Sequence, residues 1–164
     1  MILDLKSVFI TEGASLPVDF KLDMSEMVFS GLCPIKTAVP VSGSVDNRAG
    51  IVSTNLECEV LFVAPCDRCG KETAKTHRVL INRVLVSKLA DRTDDEIIEI
   101  PNMQLDAEEL CRDEIVLSLP MKHLCKDDCK GVCMSCGKDL NEGKCDCKSD
   151  SHDPRLQALA QLLD

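Results

Sequence analysis

The chain contains no tryptophan and no tyrosine, and four phenylalanines make up its whole aromatic content of 2%. Unpaired bases are held largely by stacking on aromatic planes, so a conventional reader of single-stranded RNA is disfavoured. An excess of positive charge is missing too. Lys and Arg number 19 against 28 Asp and Glu, a formal charge of -9, and a whole-molecule field of that sign repels nucleic acid. No apolar run approaches the roughly 20 residues of a membrane span. Residues 1 to 17 lack the basic start, long apolar stretch and small-residue cleavage site of a signal peptide, so the expectation is a cytoplasmic protein in which disulfides are rare. Catalytic signatures are absent as well: there is no glycine-rich phosphate loop, no His-Glu-x-x-His and no GxSxG elbow. His77, His123 and His152 stand isolated and each reads as a surface residue. The expectation is a non-enzymatic protein with no membrane and no small-molecule substrate.

What the chain has in abundance is cysteine, eleven in 164 residues, six of them between Cys125 and Cys147. Cys133, Cys136 and Gly137 form a CxxCG knuckle, and Cys66, Cys69 and Gly70 form a second one far upstream. Two thiolates on such a turn supply half of a tetrahedral metal site, and the glycine tolerates the positive φ needed as the chain bends past the ion. The missing halves are offered by Cys125 with Cys129 and by Cys145 with Cys147. Eight thiols then make two structural zinc sites. Only eight residues separate Cys136 from Cys145, so loop closure favours Cys133, Cys136, Cys145 and Cys147 in one site and Cys66, Cys69, Cys125 and Cys129 in the other. Joining the two knuckles, as rubredoxin-like ribbons do, remains open, because spacing alone does not fix connectivity. Four cysteines close the coordination sphere and favour a structural metal over a catalytic one. The enzymatic alternative is thiol redox chemistry at Cys66-Asp67-Arg68-Cys69, where the arginine would lower a thiol pKa.

Charge is segregated. Cys66 to Arg92 holds seven basic residues (Arg68, Lys71, Lys75, Arg78, Arg83, Lys88, Arg92) against three acidic ones, whereas Asp94 to Glu114 holds nine acidic residues against Arg112. Two solvated faces explain this blandly. A sharper reading gives Arg68, Lys71, Lys75, Arg78 and Arg83 to RNA phosphates and the acidic stretch to a basic protein.

In chain order, Ile2 to Phe9 and Leu16 to Leu22 read as strands around a loop. Val39, Val41 and Val45 alternate up to the turn Asp46 to Gly50, and Val52, Thr54, Leu56, Cys58, Val60 and Phe62 return as a hairpin with one buried face. The knuckle after Pro65 turns the chain into a third strand, about residues 75 to 89. A short run from Ile97 to Ile100 follows. Asp106 to Glu109 has the shape of a capping box with Leu105 and Leu110 as its staple, predicting a helix with Ala107, Leu110, Cys111, Ile115 and Leu117 on one face, ending before Pro120. Glu114 falls on that apolar face and needs a partner, for which Arg68 is the candidate. Cys33, Cys58 and Cys111 lack metal-site spacing and read as small core hydrophobes. Asp153-Pro154-Arg155 opens a last amphipathic helix carrying Leu156, Leu159, Ala160 and Leu163. The fold class expected is α+β: an antiparallel, partly closed barrel-like sheet with one packed helix, a zinc-stabilised C-terminal segment and a short terminal helix. The division expected is a body over residues 1 to 124 and a cysteine-rich segment over 125 to 164 packed on it.

Cys-Asp-Arg-Cys-Gly at 66–70, Arg-Asp-Glu-Ile-Val-Leu-Ser-Leu-Pro at 112–120, the cysteine run from Cys125 to Asn141 and the late Asp-Pro-Arg-Leu together resemble the YceD family of bacterial large ribosomal RNA subunit accumulation proteins. The likeness covers nearly the whole chain. It implies a role in synthesis, processing or stability of large-subunit ribosomal RNA, without a known enzymatic activity, through contact with the precursor RNA or with a ribosomal or assembly protein. It also implies that the first knuckle with two ligands at the positions of Cys125 and Cys129 serves the shared role, and that the second cysteine set is dispensable for it.

Overall fold

The computed structural model describes residues 1–88 and 97–147. The elements are β1 (Ile2–Asp4), α1 (Lys6–Ile10), β2 (Ser15–Leu22), β3 (Val39–Arg48), β4 (Ile51–Pro65), β5 (Glu72–Val86), β6 (Ile97–Glu99), a 3-10 turn (Pro101–Met103), β7 (Gln104–Asp106) and α2 (Ala107–Ser118). Strands β2 to β5 form an antiparallel meander in that order, and β6 joins parallel to β5. The ribbon of β1 and β7 lies apart as a second sheet. The architecture is α+β, as the sequence suggests.

One face of the meander makes the core. In β4 the even positions from Val52 to Ala64 are buried and none of the odd ones is, and the register sets Cys58 opposite Val79 and Leu56 opposite Ile81. A strict period of two over 15 residues leaves the strand no freedom to slip, because a one-residue shift would carry the whole apolar set to solvent. Leu5 and Val8 from the N-terminal segment, Met24 and Ile35 from the loop after β2, and Leu110, Cys111, Ile115 and Leu119 from and after α2 cover that face. Helix α2 starts where the capping pattern places it: Asp106 accepts the N–H groups of Glu108 and Glu109, satisfying two of the helix's orphan donors.

Several expectations change. The segment from Ile2 to Phe9 is not one strand. It breaks after Asp4, whose carboxylate accepts the Lys6 N–H, and Leu5 and Val8 then turn inward at helical spacing. The sheet does not close into a barrel, since β2 and the three-residue β6 are its two edges. Leu117 is 80% exposed because it stands 200° round the helix from Ile115, off the buried stripe. Cys33 is exposed just after the Phe29–Leu32 pair, whereas Cys58 on β4 and Cys111 on α2 are both fully buried. The expected terminal helix lies outside the described residues.

Candidate metal centres

The first knuckle is the turn between β4 and β5, and its shape follows from backbone hydrogen bonds. Cys66 N–H donates to the Lys71 carbonyl at 2.9 Å and Gly70 N–H to the Cys66 carbonyl at 2.8 Å. The second knuckle repeats this: Cys133 N–H reaches the Lys138 carbonyl and Gly137 N–H the Cys133 carbonyl, both at 2.8 Å. Gly70 and Gly137 have φ of 71° and 72°, a conformation that a side chain would strain. In each turn the cysteine pair is left pointing to one side.

The four thiols of Cys66, Cys69, Cys125 and Cys129 lie within 4.8 Å of one another, and so do those of Cys133, Cys136, Cys145 and Cys147. In the first set, the Cys66 and Cys129 sulfurs are 3.8 Å apart and those of Cys69 and Cys125 are 3.7 Å apart. A zinc ion bound at about 2.3 Å by four thiolates sets its sulfurs about 3.8 Å apart, so these spacings fit a closed tetrahedral site. The geometry brings together the same two quartets that loop length favours, and it separates the two knuckles.

The electrostatics suit a cation. Burial opposes ionisation of Cys66, but N–H groups of Cys125, Cys69 and Arg68 outweigh it and bring the thiol down to about 6. The N–H groups of Cys136 and Ser135, with the Cys145 thiol, bring Cys133 down to about 6. Their neighbours respond in the opposite sense: burial and the other thiols push Cys125 up to about 12, and the hydrogen bond that the Cys147 thiol donates to Cys136, with burial, pushes Cys147 up to about 12. Four thiolates at such spacing repel one another, and a divalent ion among them removes that penalty.

The first site is held by a clamp between the knuckle and the segment after α2. Asp67 N–H donates to the His123 carbonyl at 2.9 Å, His123 N–H returns to the Asp67 carboxylate at 2.6 Å, and the His123 ring hydrogen-bonds Thr73 at 2.7 Å. Arg68 Nη1 donates to the Cys129 carbonyl at 2.6 Å. His123 is therefore buried, not a surface residue; it packs on Phe62 with ring centres 5.2 Å apart. No local pattern signals this, since neither Asp67 nor Thr73 is near His123 in the chain.

Arg68 does not pair with Glu114. Arg83 does, through Nε at 2.9 Å and Nη2 at 2.6 Å, because α2 packs over β5 while the knuckle lies beyond the end of the strand. The basic stretch is also not one surface. Arg78 projects from the outer face of β5 and pairs with Glu57 at 2.6 Å, with Glu59 beyond at 3.7 Å, whereas Lys75 and Arg83 share the other face. Lys71 is exposed beside the first knuckle and Lys75 is half-buried. Among the described residues no helix is long and apolar enough to cross a membrane.

Comparison with known proteins bears on the same residues. The profile described as "Large ribosomal RNA subunit accumulation protein YceD" matches residues 54–163, well over half of the chain and both thiol quartets. The chain belongs to the YceD family. Among curated relatives, this YceD-family chain is 34% identical over 59 residues to the Large ribosomal RNA subunit accumulation protein YCED homolog 1, chloroplastic, of Arabidopsis thaliana, which covers 36% of the chain and only 18% of that protein. It is 26% identical over 127 residues to the uncharacterized protein YlbN of Bacillus subtilis strain 168, covering 76% of the chain and 74% of YlbN. No solved structure matches.

Proposed function

We propose that this YceD-family chain is a non-enzymatic ribosome-biogenesis factor, bound to two structural zinc ions, that supports synthesis, processing or stability of large-subunit ribosomal RNA by binding. The observation that carries this is the family match across both thiol quartets, taken with the family's description. Zinc at Cys66, Cys69, Cys125 and Cys129 would lock the β4–β5 turn to the segment after α2, and zinc at Cys133, Cys136, Cys145 and Cys147 would hold the following loop. A closed four-thiolate sphere leaves no position for a reacting water, which supports a structural role over a catalytic one. The test is depletion of the protein in cells, with the ratio of large- to small-subunit ribosomal RNA as readout and complementation by the parent and by Cys66→Ser/Cys69→Ser. A fall in that ratio that the parent restores and the variant does not is expected; an unchanged ratio sinks the reading.

A second reading, that the contact is with a basic ribosomal or assembly protein and not with RNA, is favoured by a specific observation. Among the described residues, Arg78, Arg83 and Arg68 of the basic stretch are committed to Glu57, Glu114 and the Cys129 carbonyl respectively. By contrast, a groove of about 380 Å³ between β6, β7 and α2 has Ile98, Leu105 and Leu110 as its floor and Glu99, Glu109 and Asp113 on its rim. Acidic rim and apolar floor complement a basic, partly apolar peptide segment.

A further inference from the structure

We infer that Asn141 is a positioning residue that couples the two thiol clusters, so that filling the second strengthens retention of metal in the first. The inference rests on the zinc reading above. Asn141 belongs to the loop between Cys136 and Cys145, yet its Nδ2 donates to the sulfur of Cys129, a member of the other cluster, at 3.4 Å. The same amide is fixed on its other sides. Nδ2 also donates to Asp139 Oδ1 at 2.7 Å, the Asn141 N–H donates to that oxygen at 2.8 Å, and Oδ1 accepts the Lys130 N–H at 2.9 Å. Beside it, Leu140 N–H donates to the Gly131 carbonyl at 2.9 Å and Val132 bridges Asp139. The strip carrying Cys129 is thus backed by a strip whose course is set by the second cluster.

A thiolate bound to zinc keeps excess negative charge, and an amide N–H aimed at it stabilises the metal-bound form; among the described residues Asn141 supplies the one side-chain N–H bonded to a sulfur of either cluster. The second cluster is the weaker holder on exposure grounds: Cys136 and Cys147 are exposed, whereas Cys66 and Cys129 are buried. Emptying it leaves the Asn141 strip tied to the Cys129 strip by the contacts to Gly131, Lys130 and Val132 alone, and the rest of the loop by exposed ones such as Lys138 Nζ to the Lys144 carbonyl at 3.0 Å. The Asn141 amide is then held less firmly on Cys129, while the first cluster retains its four thiols. Coupling of this kind is reciprocal, so the metal in the first cluster also favours filling of the second.

The test uses the full chain loaded with zinc and followed by a metallochromic indicator after addition of chelator. The exposed second cluster empties in the fast phase and the buried first cluster in the slow one. Asn141→Ala is expected to speed the slow phase at least about tenfold, the usual scale for a lost partner of a metal ligand. Asn141→Asp, which keeps an oxygen for the Lys130 N–H but has no donor, should behave the same way. In cobalt-loaded protein the thiolate-to-metal charge-transfer band of the first cluster should move to lower energy, a change that loosening of the loop alone would not produce. Cys136→Ser/Cys147→Ser should leave one metal, released at the accelerated rate, with no further effect of Asn141→Ala. An unchanged slow phase and band in both Asn141 variants, or full addition of the Asn141 and double-cysteine effects, overturns the coupling while leaving the zinc reading intact. A parent chain that takes up no zinc overturns both.

Discussion

Arg83 on β5 grips Glu114 on α2 with two nitrogens on one carboxylate oxygen, at 2.9 and 2.6 Å, and neither side chain is more than 26% exposed. The pair sits where helix meets sheet, so it fixes α2 above β5 rather than decorating a surface. Glu114→Gln should lower stability by about 1–2 kcal/mol, the range for a lost charged hydrogen bond at a half-buried site. Arg83→Met/Glu114→Gln should cost less than the two single changes added together, because removing both charges strands neither. Arg68→Met combined with Glu114→Gln should be additive. Chemical denaturation of the parent, the three single variants and the two double variants decides between Arg83 and Arg68 as the partner.

The difference between those two arginines shows what the sequence can and cannot reveal. Local chemistry is legible: Asp106 caps α2 as its spacing predicts, alternation along β4 places Cys58 inward, and the two CxxCG turns are visible from four cysteines and two glycines. Relations between distant segments are not. That Glu114 needed a cation followed from its place on an apolar face, but which arginine stood beneath it depended on how α2 crosses the sheet. His123 and Asn141 were missed for the same reason, since Asp67, Thr73 and Cys129 meet them only after folding. Leu5 and Val8 were misread because a run of eight residues carries too few periods to separate a strand from a strand followed by a helical turn.

Two zinc ions per chain are expected in protein purified under reducing conditions, and elemental analysis counts them. Structural zinc contributes on the order of 10 kcal/mol in small domains, so the position of a lost ligand matters. Cys69→Ser should loosen the β4–β5 end of the body along with the segment around His123, because both meet at the first cluster. Cys133→Ser should raise hydrogen exchange mainly within residues 133–147. Equal, global loss of protection in both variants would contradict the separate roles given to the two quartets.

Gly131 tests the packing between the clusters. Its φ is 74°, and a Cβ built there would lie 2.9 Å from the Arg68 carbonyl oxygen, a backbone atom that cannot swing aside. Gly131→Ala should therefore push the Cys129 strip off the first knuckle, costing about 1–3 kcal/mol from strained backbone and speeding zinc release from the first cluster. Lys130→Ala, next to it but exposed, should leave both quantities unchanged. Thermal melts with parallel zinc-release traces check this.

Acid should weaken the fold partly through His77. Burial, followed by the charges of His123 and Lys75, holds its pKa below the ordinary 6.5, and its Nε2 is buried without a partner beside Phe62. The neutral ring is thus favoured in the folded state, and the unfolded chain takes up the proton more readily. The resulting contribution to stability is complete above pH 6.5 and is lost as pH falls from there through the lower folded value. His77→Phe should remove that loss, so its stability relative to the parent should rise between pH 7 and pH 5. Zinc thiolates titrate in both proteins, so the difference between the two isolates the histidine. A pH-independent difference would show that His77 titrates no differently in the folded chain.

The placement of charge makes the mode of contact testable. Arg78 and Arg83 face opposite sides of β5 and each is held by glutamate, while Arg68 is used inside the first clamp, so of the five residues given to RNA phosphates Lys71 and Lys75 are the two without an ion pair among the described residues. Lys71→Glu/Lys75→Glu should lower affinity for every RNA sequence alike and flatten its salt dependence if phosphates are touched there, since phosphate contacts carry no base information. Glu99→Lys/Asp113→Lys reverses two rim charges of the groove beside α2 without touching the Asp106 cap, so it should leave melting temperature and zinc content near the parent's. Because two lysines are a weak footing for an acidic chain on RNA, the groove is expected to carry the contact: its reversal should abolish salt-sensitive capture of a basic ribosomal or assembly protein and lower accumulation of large-subunit RNA, while the lysine variant supports accumulation as well as the parent. The opposite pattern, with accumulation lost on reversing the lysines and kept on reversing the groove, would assign the contact to RNA at the first knuckle.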